Sequence, residues 1–203
     1  MQPFDLLDLH RFESFEVYYS YFEYIFLSGA TVLTFIVPIL TMRLFAEERK
    51  TGTEQLLLTS PLSITSAVLA KFIAAVLVIV ITELCTFMYF GILCYFGMPN
   101  IILSLIAMLG FLLLAMAYIS FGMLASSLTE NQIIAGVITI GFFILTWFLP
   151  EFSGIFDTLS LINIFSKFVY GQIDIADTVT FISFTVVCIL LTIMVLQRRK
   201  SIR

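Results

Sequence analysis

Charge is scarce in this sequence. Ten Lys and Arg and 14 Asp and Glu make up 12% of the 203 residues, about half the share of a soluble domain. The net charge of −4 and the lack of a basic cluster exclude nucleic acid as a partner, because nothing here could track a phosphate backbone. Histidine occurs once, at His10, so no second imidazole completes a metal site. Cys85, Cys94 and Cys188 all lie inside apolar runs. Cys85 and Cys94 sit nine residues apart on one predicted helix, roughly 13 Å along its axis, too far to bridge; all three read as small apolar fillers. A glycine-rich phosphate loop is absent, which removes the usual cradle for ATP. No cofactor is implied.

What is abundant is apolar surface. Hydrophobic residues make up 61% of the chain, with 22 Phe and 8 Tyr, and the mean hydropathy is +1.09. A soluble fold of this size could not hide so much, so a water-soluble enzyme is excluded. Five runs approach the 20 or so residues that cross a bilayer: Ile25–Met42, Phe72–Phe96, Ile101–Ser126, Ile133–Leu149 and Val179–Leu196. Lipid offers no partner to an open backbone, so each must be helical, and the alternation of barrel strands is missing. The expected fold is all-α, a polytopic helix bundle in the lipid bilayer.

Basic residues set the orientation. Arg43, Arg49, Lys50, Lys71, Arg198, Arg199, Lys200 and Arg203 fall on one side of five crossings, and only Arg11 and Lys167 on the other. The N-terminus is therefore expected outside and the C-terminus in the cytoplasm. Residues 1–24 are acidic, with Asp5, Asp8, Glu13, Glu16 and Glu23, and have no basic n-region, so they are not a signal peptide. Their aromatic crowding suggests an extracytoplasmic segment resting on the membrane. Outside, Pro99 should break the chain into a tight turn at Gly97–Asn100, and a short helix around Thr158–Val169 should lie against the membrane surface. Ala70/Ala74 and Gly122/Ser126 are small residues at four-residue spacing, which permits close helix packing.

The first cytoplasmic loop, residues 43–71, is the most informative stretch. Arg43, Glu47, Glu48, Arg49, Lys50 and Glu54 place three charges of each sign within twelve residues. One reading is a solvated loop; the other is a docking surface of specific charge pairs. Thr51 and Glu54 have the spacing of a capping box, Leu56-Leu57-Leu58 follows, and Ser60-Pro61 stops the helix. A two-turn helix at the membrane face is expected, with Ser63 capping the returning span.

Pro38-x-x-Thr41-Met42-Arg43, followed by Phe45-Ala46-Glu47-Glu48-Arg49-Lys50-x-Gly52-Thr53-x-x-Leu56-Leu57-Leu58-Thr59-x-Pro61-Leu62, resembles the permease subunit of ABC-2 type exporters. The resemblance is to the branch of gliding-motility and nitrous-oxide-reductase maturation permeases. Phe168-x-x-Gly171-Gln172-Ile173-Asp174-Ile175-x-Asp177 resembles that branch's last outer loop. Such permeases usually have six spans, which implies that a first transmembrane helix would precede Met1. The resemblance implies a multi-pass protein of the bacterial cytoplasmic membrane, paired with itself or a sister permease. It implies a coupling helix in loop 43–71 driven by a separate ABC ATP-binding subunit, with Glu47, Glu48, Arg49, Gly52, Thr53 and Glu54 as the contact region. Glu47 and Arg49 could instead pair within the chain and hold the loop's shape. A non-transporting scaffold of an ABC complex is the alternative function.

Glu83 is the one acid well inside a span, where it costs roughly 2.5–3.5 kcal/mol on insertion scales. It is either a pathway or interhelix residue, or a neutral acid bonded to a neighbour such as Thr82 or Thr86. An intramembrane enzyme would need a partner for it, and no His or second buried acid is available. Pro38 should kink the first span, and Trp147 should anchor at an interface. Glu130-Asn131 lies in a short turn and is given no chemistry. The spans carry few polar residues, which favours a lipid-like or bulky amphipathic cargo over a small ion.

Overall fold

A computed structural model describes residues 6–54, 63–96, 101–152 and 160–202. These form α1 (Leu6–Thr41), α2 (Arg43–Lys50), α3 (Ile64–Phe96), α4 (Ile101–Leu128), α5 (Gln132–Phe152), α6 (Leu161–Val169) and α7 (Ile175–Ile202), with no strand among the described residues. The helix expected after Thr51 (residues 55–62), the turn at Gly97–Asn100 and the side chains of the first 23 residues lie outside them.

Among the described residues, four helical stretches are long and apolar enough to cross a membrane, over Tyr24–Lys50, Ile64–Thr86, Ile101–Leu128 and Ile175–Lys200; a shorter apolar helix covers Gln132–Phe148. Their outward surfaces are greasy: Leu84, Val137 and Met194 are each more than 60% exposed. In water that surface would drive aggregation; against lipid tails it costs nothing. The fold is a polytopic helical membrane bundle. α1 continues without a break from its acidic start into the first span, and its 36 residues extend roughly 54 Å at 1.5 Å each, well beyond a 30 Å hydrocarbon core.

α4 is the centre of the bundle and packs against all six other helices. Its small residues explain how. A Cβ on Gly110 would lie 2.6 Å from Phe168 Cβ, and one on Gly122 would lie 2.2 Å from Thr41 Oγ1. Only glycine lets α6 and the end of α1 approach so closely. Between these contacts Tyr118 stacks on Phe143 with ring centroids 3.8 Å apart, and Phe121 stacks on Phe142 at 3.7 Å.

At one end of the bundle α6 forms within the expected stretch. Ser160 caps it, accepting from the Asn163 amide and donating to Thr146 O at 2.9 Å. Leu161, Ile162, Ile164, Phe165, Phe168 and Val169 are all buried, so this helix is packed into the bundle. Its end is a Schellman turn: the Gln172 amide reaches Lys167 O and the Gly171 amide reaches Phe168 O, with Gly171 at φ +75°. This is the pattern that a C-terminal glycine makes possible. Asp174 then starts α7, its Oδ1 accepting from the Ala176 amide. Lys167 Nζ stands 3.0 Å from the buried Asp177. Each polar residue of the second sequence motif thus serves helix ends or their pairing.

Candidate functional site at the α2 turn

The opposite end carries α2. Pro38 sits inside α1, which continues through it; the break comes at Met42. There the Ser126 hydroxyl of α4 is inserted into the backbone ladder. It accepts from the Phe45 and Ala46 amides at 3.1 Å each and donates to Met42 O at 3.1 Å. An unbroken helix would give those amides the carbonyls of Thr41 and Met42. A side chain wedged into the i→i−4 ladder is an established cause of a helix break, and here it comes from a residue 81 positions away. Gly122, one turn earlier on α4, takes up Thr41. Gly122 and Ser126 therefore hold the α1–α2 corner together. Ala70 and Ala74, at the same spacing, are exposed.

α2 ends at Thr51 and Gly52. The Thr51 amide reaches Glu47 O, and the Gly52 amide reaches Arg49 O with Gly52 at φ +77°. The Thr51 hydroxyl donates to Glu47 O at 2.9 Å and that of Thr53 to Glu48 O at 3.3 Å. Thr51 therefore closes the helix before it, where the capping-box reading had it opening the next one. Gly52 is the left-handed terminator of α2 and not the first residue of a helix. The sequence reading missed α2 because Arg43–Lys50 looked like a charged loop.

The charges sort by face. Phe45 and Ala46 are buried, and Arg43, Glu47 and Lys50, spaced by four and three residues, lie exposed on the outer side with Thr51, Gly52 and Thr53. Inward, Lys71 of α3 pairs with Glu48, donates to Leu44 O and stands 4.3 Å over the Phe45 ring. Arg49 Nη2 meets Glu130 at 3.1 Å and its Nε meets Glu54 at 3.5 Å; Arg199 of α7 reaches Glu54 at 3.6 Å. Glu54 is almost fully buried. Arg199, Glu54, Arg49 and Glu130 form an alternating row that ties α7, the α2 tip and the α4–α5 turn.

Of the six residues singled out from sequence, Glu48, Arg49 and Glu54 are thus held by pairs inside the chain, while Glu47, Gly52 and Thr53 face outward. Arg49 pairs with Glu54 and Glu130, not with Glu47. Sequence reasoning had Ser126 only as a small packing residue, Lys71 and Arg199 only as orienting charges and Glu130 only as part of a turn, and did not connect any of them to α2. Polarity at the ends of spans, which ordinary interfacial residues share, does not reveal such ties.

Glu83 lies far from this end. The buried stripe of α3 runs Ile64, Val68, Phe72, Ala75, Ile79, and Glu83 continues it, partly buried, with Oε1 shielded and without a hydrogen bond. The Thr82 and Thr86 hydroxyls donate to their own helix, at Ile79 O and Thr82 O.

No curated protein and no solved structure matches this chain. Residues 3–196 match the model of the ABC-2 family transporter proteins. With its apolar helices gathered on α4 and an ordered, charged turn at one end, the chain belongs to the ABC-2 transporter family and is a membrane-spanning permease component of an ABC transporter.

Proposed function

We propose that this chain is the permease subunit of an ABC exporter, moved by ATP hydrolysis on a separate ATP-binding subunit that docks on the α2 turn. The α2 end faces the cytoplasm of a bacterial cell in this reading, because the basic residues concentrate there. Glu47, Lys50, Gly52 and Thr53 form the outer contact, with Arg43 on the same face. Glu48, Arg49 and Glu54 hold the turn stiff. A push on α2 would pass to α4 through Ser126, to α3 through Lys71 and to α7 through Glu54 and Arg199. That is a rigid-body route, as an interface-driven transition requires.

The observation that carries the proposal is the contrast within α2 between an anchored inner face and a free outer one. A scaffold would need the outer face but not the ties to three spans. The test is the double charge reversal Glu47→Lys with Lys50→Glu. It should abolish co-purification with the ATP-binding subunit while leaving membrane insertion intact; undiminished co-purification would remove α2 as the docking site. Reconstitution with that subunit should give ATP-dependent transport, whereas ATP hydrolysis without movement of any cargo would leave the scaffold reading.

A further inference from the structure

The six charges between Arg43 and Glu54 divide evenly. Glu48, Arg49 and Glu54 are taken up by Lys71, Glu130 and Arg199, or by one another. Arg43, Glu47 and Lys50 are exposed, and among the described residues none of the three enters an ion pair. Their spacing of four and then three residues would allow Glu47 to pair with either neighbour along the helix, yet neither pair forms. What α2 turns outward is a row that reads positive, negative, positive.

The row is short and straight. At 3.6 residues per turn its three positions fall within about 60° of the helix circumference, and at 1.5 Å per residue it is roughly 10 Å long. It is also held in place. Ser126 of α4 bonds the backbone of Phe45 and Ala46, Lys71 of α3 pairs with Glu48, and Arg49 meets Glu130 and Glu54. Charges displayed at fixed spacing discriminate between partners, because a wrong partner is penalised at every like-charge contact.

Three kinds of occupant would meet this row differently. A layer of anionic headgroups attracts Arg43 and Lys50 but repels Glu47 between them. A second copy of α2 laid alongside in register, in either direction, sets like against like at all three positions, since the order reads the same both ways. A protein surface with an acid, a base and an acid at matching steps satisfies all three. Resting on the reading of α2 as the docking turn, we infer that this row selects the ATP-binding subunit and sets its register. The subunit's seat presents an acidic, a basic and an acidic side chain in line, opposite Arg43, Glu47 and Lys50. A slip of one step along the row, about 5 Å, brings two like-charge contacts, so the seat has one register.

The test separates order from charge. Affinity for the purified ATP-binding subunit is measured on the full chain in nanodiscs, in three forms. One is unaltered. One carries Glu47→Lys with Lys50→Glu, which keeps the net charge but opposes like charges at two positions. One carries Arg43→Gln, Glu47→Gln and Lys50→Gln. The neutral form should bind about tenfold more weakly, the scale of three exposed pairs. The reordered form should be weaker still, about a hundredfold below the unaltered chain, because repulsion adds to the lost pairs. Raising the salt should close the gap between the two altered forms; a gap indifferent to salt would overturn its electrostatic origin. Equal weakening of both altered forms would overturn the ordered seat while leaving α2 as the docking site. Undiminished affinity in both would remove the docking site and this inference with it. Loss of self-association by the altered chain alone, with no change in affinity for the subunit, would assign the row to a second copy and overturn the seat.

Discussion

The two ends of the bundle solve the same problem with opposite finishes. Each has a short helix closed by a glycine in the left-handed region, Gly52 at φ +77° and Gly171 at φ +75°. Each is fixed to α4 through a glycine that admits a side chain, Thr41 at Gly122 and Phe168 at Gly110. At the α6 end the helix is apolar and buried, and one pair, Lys167 with Asp177, ties it to α7. At the α2 end only Phe45 and Ala46 are buried, and a row of four charges ties the turn to two other parts of the bundle. The first is finished within the chain. The second is equally anchored but keeps Arg43, Glu47 and Lys50 turned outward. Rigid attachment with an unused polar face is what distinguishes a handle from a plug.

Substitutions that attack each end separately test this contrast. The largest effect is expected from Ser126→Val, which strips two buried amides and a carbonyl of their partner at the α2 corner. At about 1–3 kcal/mol per unsatisfied group, unfolding in detergent should show a loss of several kcal/mol, with the α6 end unaltered in local protease resistance. Glu54→Gln should follow, at about 1–3 kcal/mol, because it leaves Arg49 and Arg199 facing each other across a shielded amide. The glycines should then rank unequally. A Cβ on Gly171 would meet Leu103 at 2.6 Å, while one on Gly52 meets nothing within 4 Å. Gly52→Ala should therefore cost only the backbone term of about 1 kcal/mol, and Gly171→Ala measurably more in the same thermal assay. Glu47→Ala should change stability least, within about 0.5 kcal/mol, yet weaken capture of the ATP-binding subunit. Similar costs at the two glycines, or a stability loss at Glu47, would blur the contrast.

Much of the fold was readable because lipid imposes it. The apolar runs became helices, and the short helix before Gly171 appears within the expected stretch, though packed into the bundle and not laid against the membrane surface. The α2 turn was read less well. Its charges pointed to the right place, but the assignment of Thr51 and Gly52 to the start of a helix failed because a Thr-Gly pair can also close one. The inward ties escaped notice because Ser126, Lys71, Glu130 and Arg199 are remote in sequence, and only the packing of α4 brings them to α2. The second motif, read as a family signature, has a local explanation in Gly171, Asp174 and Asp177, which end one helix, start another and pair with Lys167.

The sixteen helical steps from Gly110 to Ser126 rise roughly 24 Å along α4, and both ends of the bundle take their bearing from that one shaft. Adding a single residue between them would turn one anchor by about 100° relative to the other, so neither neighbouring helix could find its notch while the other kept its own. Length and rotational phase are thus locked together across the membrane, and this segment can change by substitution far more readily than by insertion or deletion.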